Sequence, residues 1–117
     1  MTNLKSKVVS VLTASTGLPE VYFFYPKSFA KLPCISYYEV NNQVAVWADD
    51  KPAVSSLQYQ VQIWGRSSQE ISALADKADA GMLDAGFARQ SALDRYDANS
   101  ELYYKDMIYR ILTKEEA

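Results

Sequence analysis

Between Pro52 and Gly65 the chain reads AVSSLQYQVQIW, where Leu57, Tyr59, Val61 and Ile63 alternate with Gln58, Gln60 and Gln62. A period of two is the period of a pleated strand, and on a helix these four apolar residues would scatter around the axis. The segment therefore commits the chain to a sheet with one apolar face that must be covered. Its other face is made of amides. An amide both donates and accepts, so it can hydrogen-bond a partner without the cost of desolvating a charge. Such a face suits contact with another protein surface, and it also suits plain solvent.

Two segments have the pattern to cover the apolar face. Around residues 3–14, Leu4, Val8, Val11 and Leu12 fall at helical spacing, Thr2 or Asn3 can cap the start, and Gly17 followed by Pro19 stops the helix. The segment at about 68–85 opens with Ser67 and Glu70 in S-x-x-E spacing, the capping box. It continues with Ile71, Leu74, Ala75, Ala78 and Met82 on one stripe and ends at Gly86. Small residues on that stripe let the helix lie close to its neighbours.

The remaining segments read as strands. VYFFY at 21–25 is a dense apolar strand closed by Pro26, and Pro33 precedes CISYYEV. NNQ reads as a turn before VAVWA, and the polar DDKP precedes the alternating strand, which Pro52 and Gly65 bound. A hairpin over about 87–113 turns at Ala98-Asn99-Ser100, with Asn99 suited to positive φ. Its second strand places Tyr103, Met107, Tyr109 and Ile111 on one face and Leu102, Ile108 and Leu112 on the other. Apolar residues on both faces mark a central strand or one covered by another subunit. The closing KEEA reads as a frayed, solvated end. The expected fold is α+β in the order α-β-β-β-β-α-β-β, one domain over 1–117. It would be a mainly antiparallel sheet of about six strands with both helices on one face.

The chain offers little chemistry. It has no histidine, which removes the commonest general base and metal ligand. Asp76 and Asp79 lie on the wet side of their helix, and Asp94 and Asp97 lie near a turn. Cys34, alone at the start of an apolar strand, reads as a small buried hydrophobe. No glycine-rich phosphate cradle, cofactor motif or metal set is present in the sequence. Twelve basic and fourteen acidic side chains give net charge −2, which argues against nucleic-acid binding by bulk charge. No apolar run reaches the ~20 residues of a membrane span, and the N-terminus lacks the pattern of a secretory signal, so a cytoplasmic product is expected. The marked bias is toward tyrosine, nine of 117 residues, all in segments read as strands. Tyr and Trp suit cores, and they also suit surfaces buried only in a complex.

LPCISYYEVNN, a polar loop, and LQYQVQIWGRS leading into an alanine-rich helix, followed by LDAGFAR and DANSELYYKDMIYRI, resemble the tail-completion proteins of long-tailed bacteriophages. These are the tail terminators, or tail-to-head joining proteins. The resemblance spans about residues 4–112 and rests on patterns of strand and helix. It implies an α+β domain without enzymatic activity that forms a ring, a hexamer, on the end of the tail tube. Its partners would be copies of itself, the tail tube protein and the head–tail connector. Its location would be the host cytoplasm during assembly and the head-proximal end of the virion tail afterwards. The expected interface residues are Trp47, Asp49 and Asp50 in a projecting loop at 41–53, and the amide-face residues Gln58, Gln60, Gln62 and Trp64 with Arg66 beside them. Two other readings compete: a two-fold adaptor module, and a metal-dependent hydrolase in which Asp49 and Asp50 converge with Asp94 or Asp97 in one cleft.

Overall fold

The computed structural model describes residues 1–115. Its elements are α1 (Lys5–Thr16), β1 (Tyr22–Phe23), β2 (Cys34–Ala48), β3 (Lys51–Gly65), α2 (Ser68–Asp84), β4 (Ala88–Asp97) and β5 (Leu102–Lys114). The five strands form one sheet in the order β1-β2-β3-β5-β4. All neighbours are antiparallel except β1, which is parallel to β2.

The alternation in β3 sets the layers. Leu57, Tyr59, Val61 and Ile63 are fully buried, together with Ile35 of β2 and Met107 and Tyr109 of β5, and Tyr37 of β2 is nearly so. The same core takes Val8 and Leu12 from α1 and Ile71, Leu74, Ala75, Ala78 and Met82 from α2. Both helices thus cover the one apolar face, and β5 is central, as its two apolar faces require.

Helix ends follow local chemistry. The Glu70 N–H donates to Ser67 Oγ at 3.2 Å, while the Glu70 carboxylate accepts from the Arg66 N–H at 3.3 Å, one residue earlier than in the ideal box. Gly86 takes φ 98°, and the Phe87 N–H returns to the Met82 carbonyl at 3.0 Å. At α1 the Asn3 side chain accepts from the Lys5 N–H at 3.0 Å.

Gly81, in the last turn of α2, lies against the end of α1. A Cβ there would stand 2.5 Å from Ser15 Cβ and 2.7 Å from its Oγ. Ordinarily Gly→Ala in a helix gains up to ~1 kcal/mol. Here Gly81→Ala is expected to lose roughly 1–3 kcal/mol by overpacking. Chemical denaturation of Gly81→Ala, and of Gly81→Ala combined with Ser15→Gly, checks this, since the double variant should recover most of the loss.

Five expectations need correction. The strand at 21–25 is only two residues long: Phe24 turns left-handed at φ 69° and carries the chain off the sheet. NNQ is no turn, because β2 runs through it, with register shifts between Glu39 and Asn41 and between Val44 and Val46 absorbing the irregularity. The reversal instead falls at Asp49-Asp50, φ 51° and 61°, the two positive values that a two-residue type I′ hairpin demands. Six expected strands become five because the second and third, CISYYEV and VAVWA, are one continuous strand, β2. In the β4–β5 turn the left-handed residue is Glu101, φ 56°, not Asn99. Asp97 Oδ2 accepts from the Ser100 N–H and hydroxyl at 3.3 and 2.7 Å, which winds the chain one residue further. At the C-terminus, Lys114 belongs to β5, and Glu115 accepts from the Ser55 and Thr2 hydroxyls. The hydroxyl of Ser55, first, and the other donors hold the Glu115 carboxyl below its ordinary range. The last two residues of KEEA lie outside the described residues.

Candidate assembly surfaces

The amide face explains itself within the chain. Gln60 sits between β2 and β5, accepting from the Tyr38 hydroxyl at 2.6 Å and donating to Asp106. Gln62 accepts from the Ser36 hydroxyl at 2.8 Å, and Ser36 in turn accepts from Trp64 Nε1 at 2.9 Å. Gln58 donates to Gln90 Oε1 at 2.7 Å. Asp106 is closed by Arg95 Nε at 3.0 Å. A side chain that donates on one flank and accepts on the other can bridge three strands, which neither lysine nor glutamate does alone. These three glutamines are half-buried and engaged, so the outer face is a knit surface and not a row of free amides.

Trp64 is placed differently from its expected role. It is 3% exposed. Tyr104 stacks on it at 4.4 Å between centroids, and Tyr25 and Phe29 close over it at 5.3 and 5.4 Å. With Cys34 and Leu102 it forms a second, smaller core on the outer face, beneath the segment 24–33. The Tyr25 hydroxyl pins that segment to Asp97 at 3.0 Å. In the isolated chain Trp64 offers a partner almost nothing, whereas Arg66 beside it is exposed.

Cys34 shares this small core, and burial pushes its thiol up to about 11. At pH 8 the thiolate fraction falls roughly a hundredfold below that of a free cysteine. Iodoacetamide labelling followed by mass spectrometry should show Cys34 unmodified in the folded chain and modified once the chain is denatured.

The projecting segment does exist, as the tip of the β2–β3 hairpin. Pairing of β3 with β5 ends at Val54↔Lys114, so residues 46–53 extend beyond the neighbouring strand. Trp47 there is 62% exposed, and Asp49 and Asp50 are exposed at the turn. Asp97 lies at the far end of the sheet, opposite Leu102, roughly 40 Å away along β5 at ~3.3 Å per residue. Asp94 is paired with Lys105 at 3.1 Å. The cleft of converging carboxylates required by the hydrolase reading is therefore contradicted.

Two exposed aromatic groups escaped the sequence reading. Phe23, Phe24 and Tyr25 lie at the surface beside β2, with Phe24 stacked flat on Tyr38 at 4.9 Å. Tyr96 and Tyr103 pair at 5.1 Å on the β4 side, and Leu93 is exposed on the other face of the same strand. One signal was available for the first group: Pro19 and Pro26 bracket VYFFY too tightly for a full central strand with connections at both ends.

The family described as tail completion protein gp17 matches residues 6–114 of the chain. No curated protein matches its sequence. Among solved structures, a chain of the virion of a native gene transfer agent particle is similar, with 19% identity, a TM-score of 0.57, and coverage of 91% of this chain and 86% of that one. At that identity the likeness is one of fold.

Proposed function

The chain belongs to the tail completion protein gp17 family, and is thus a structural protein of a phage or phage-like tail. From this premise we propose that it forms a ring of six copies that ends the tail tube and joins it to the head connector. In this role it catalyses no reaction and takes no cofactor. Its partners are further copies of itself, the tail tube protein and the connector. It assembles in the host cytoplasm and resides at the head-proximal end of the tail.

The match over residues 6–114 carries this reading. The surface is compatible with it: exposed Trp47 and the Asp49-Asp50 turn stand out on a stiff two-stranded projection, in position to reach a neighbour or the tube. Exposed aromatic clusters on a small soluble chain mark contact sites. Electron microscopy of particles made without this protein tests the role. Tubes of irregular, excessive length detached from heads are expected. Uniform tails joined to heads would overturn it.

A further inference from the structure

The sheet has two long strand edges with no partner among the described residues, and they differ in character. The first is on β2. Pairing with β1 stops at Phe23↔Tyr37, because Phe24 takes the left-handed conformation and leaves the sheet. Past that point residues 38–48 of β2 have a strand on one side only. Exposed sheet edges are templates for another chain, and proteins normally guard them with charge, proline or a cover. The stretch VNNQVAVWA at 40–48 contains no charged residue and no proline. Val46 in it is 49% exposed. The strained Phe24 (φ > 0 for a bulky residue costs on the order of 1–3 kcal/mol) thus maintains an open edge.

The second edge is on β4, whose only neighbour in the sheet is β5. Here charges are plentiful, but partners hold them against the two faces. Arg89 is tied to Asp79 at 2.7 Å, Asp94 to Lys105 at 3.1 Å and Arg95 to Asp106 at 3.0 Å. Asp97 is engaged by Ser100 and Tyr25. Leu93 is 50% exposed between them.

We propose that the open edge of β2 pairs with the open edge of β4 from a second copy of this chain, extending the sheet from subunit to subunit. Strand directions favour this. From β2 through β3 and β5 to β4 every neighbour is antiparallel, so β4 of one copy meets β2 of the next antiparallel when both sheets face the same way. Lengths match as well, ten residues of β4 against the eleven of 38–48. The joint accounts for the exposed apolar residues on both edges, whereas a two-fold β2–β2 contact would leave those of β4 bare. The pairing is heterologous, edge to different edge, so it closes into a ring or continues indefinitely. The inference rests on the ring reading for where closure occurs.

Two lysine substitutions test it, with absolute mass from light scattering across a hundredfold range of concentration. Val46→Lys blocks one edge and Leu93→Lys the other, while Leu83→Lys, on an exposed position of α2, is the control. Wild type and control are expected at six subunits, and each edge variant alone at one subunit that is still folded by circular dichroism and melts cooperatively. Mixing the two edge variants should give a species of two subunits, since one intact β4 edge meets one intact β2 edge. Rings that survive either substitution, a Leu93→Lys homodimer, or a wild type monomeric at every concentration would each overturn the pairing. Whether the protein is present on purified tails is scored separately, and its absence would defeat the tail reading alone.

Discussion

Trp64→Ala should lower the stability of the isolated chain by roughly 3–5 kcal/mol, a fall in melting temperature of roughly 10–20 °C at this chain length. The indole fills the centre of the outer-face core, with Tyr104, Tyr25 and Phe29 around it, and its Nε1 donates to Ser36. Truncation leaves a cavity and also removes the indole donor to the buried Ser36 hydroxyl, which keeps only its bond to Gln62. Trp47→Ala, at the exposed hairpin tip, should stay within ±0.5 kcal/mol of wild type, as surface substitutions do. Scanning calorimetry of the two variants separates them. Similar melting temperatures would show that Trp64 is not the anchor of the outer-face core.

Tyr59 should be comparably sensitive, but in two steps. Its ring is fully buried against the edge of Phe87, at 6.1 Å between centroids. Its hydroxyl accepts from the Leu4 N–H at 3.1 Å and donates to Glu39 at 3.0 Å, tying the start of α1 to β2. Tyr59→Phe keeps the packing and removes both bonds, for an expected loss of about 1–3 kcal/mol. Tyr59→Ala adds the cavity and should reach about 3–5 kcal/mol. Burial, first, holds this phenol protonated well above its ordinary range. A group whose folded pKa is raised contributes stability that is full below its unfolded value near pH 10 and is lost as pH rises toward the folded value. Alkaline denaturation followed by tyrosinate absorbance should therefore show Tyr59, like the equally buried Tyr109, ionising only as the chain unfolds, an alkaline shoulder that Tyr59→Phe reduces by one tyrosine's absorbance. Urea titrations of both variants complete the comparison.

What could be read in the sequence was whatever depends on neighbours a few residues away. The alternation of β3, the stripe of α2, the Ser67 cap and the two-faced β5 are local patterns, and each predicts its burial. What escaped depends on distant partners. VYFFY looks like core until one sees that only two of its residues pair in register with β2, and no local pattern encodes the left-handed Phe24. Asn41 and Asn42 are turn formers by chemistry, yet thirteen register partners on β3 hold β2 extended through them. Pro52 looked like a strand boundary. It is tolerated inside β3 because it lies past the end of β5, where no ladder bond is asked of it. Trp64 shares the parity of the glutamines and so reads as a surface residue, and only the segment 24–33 folding over it makes it core. The projecting tip was legible because charge, aromaticity and turn chemistry coincide there.

The hairpin also has a mechanical side. The long axis of the molecule, 51 Å against 26 and 23 Å, follows the two fifteen-residue strands. Their hydrogen bonds lie across that axis. A pull between the Asp49-Asp50 tip and the opposite end would be carried by two covalent backbones side by side, since the tip joins both strands, whereas a sideways pull would peel the rungs one after another. The protomer is therefore stiff along one direction and yielding across it, so the bearing of that axis on a particle decides whether it behaves as a strut or a hinge when the particle is stressed.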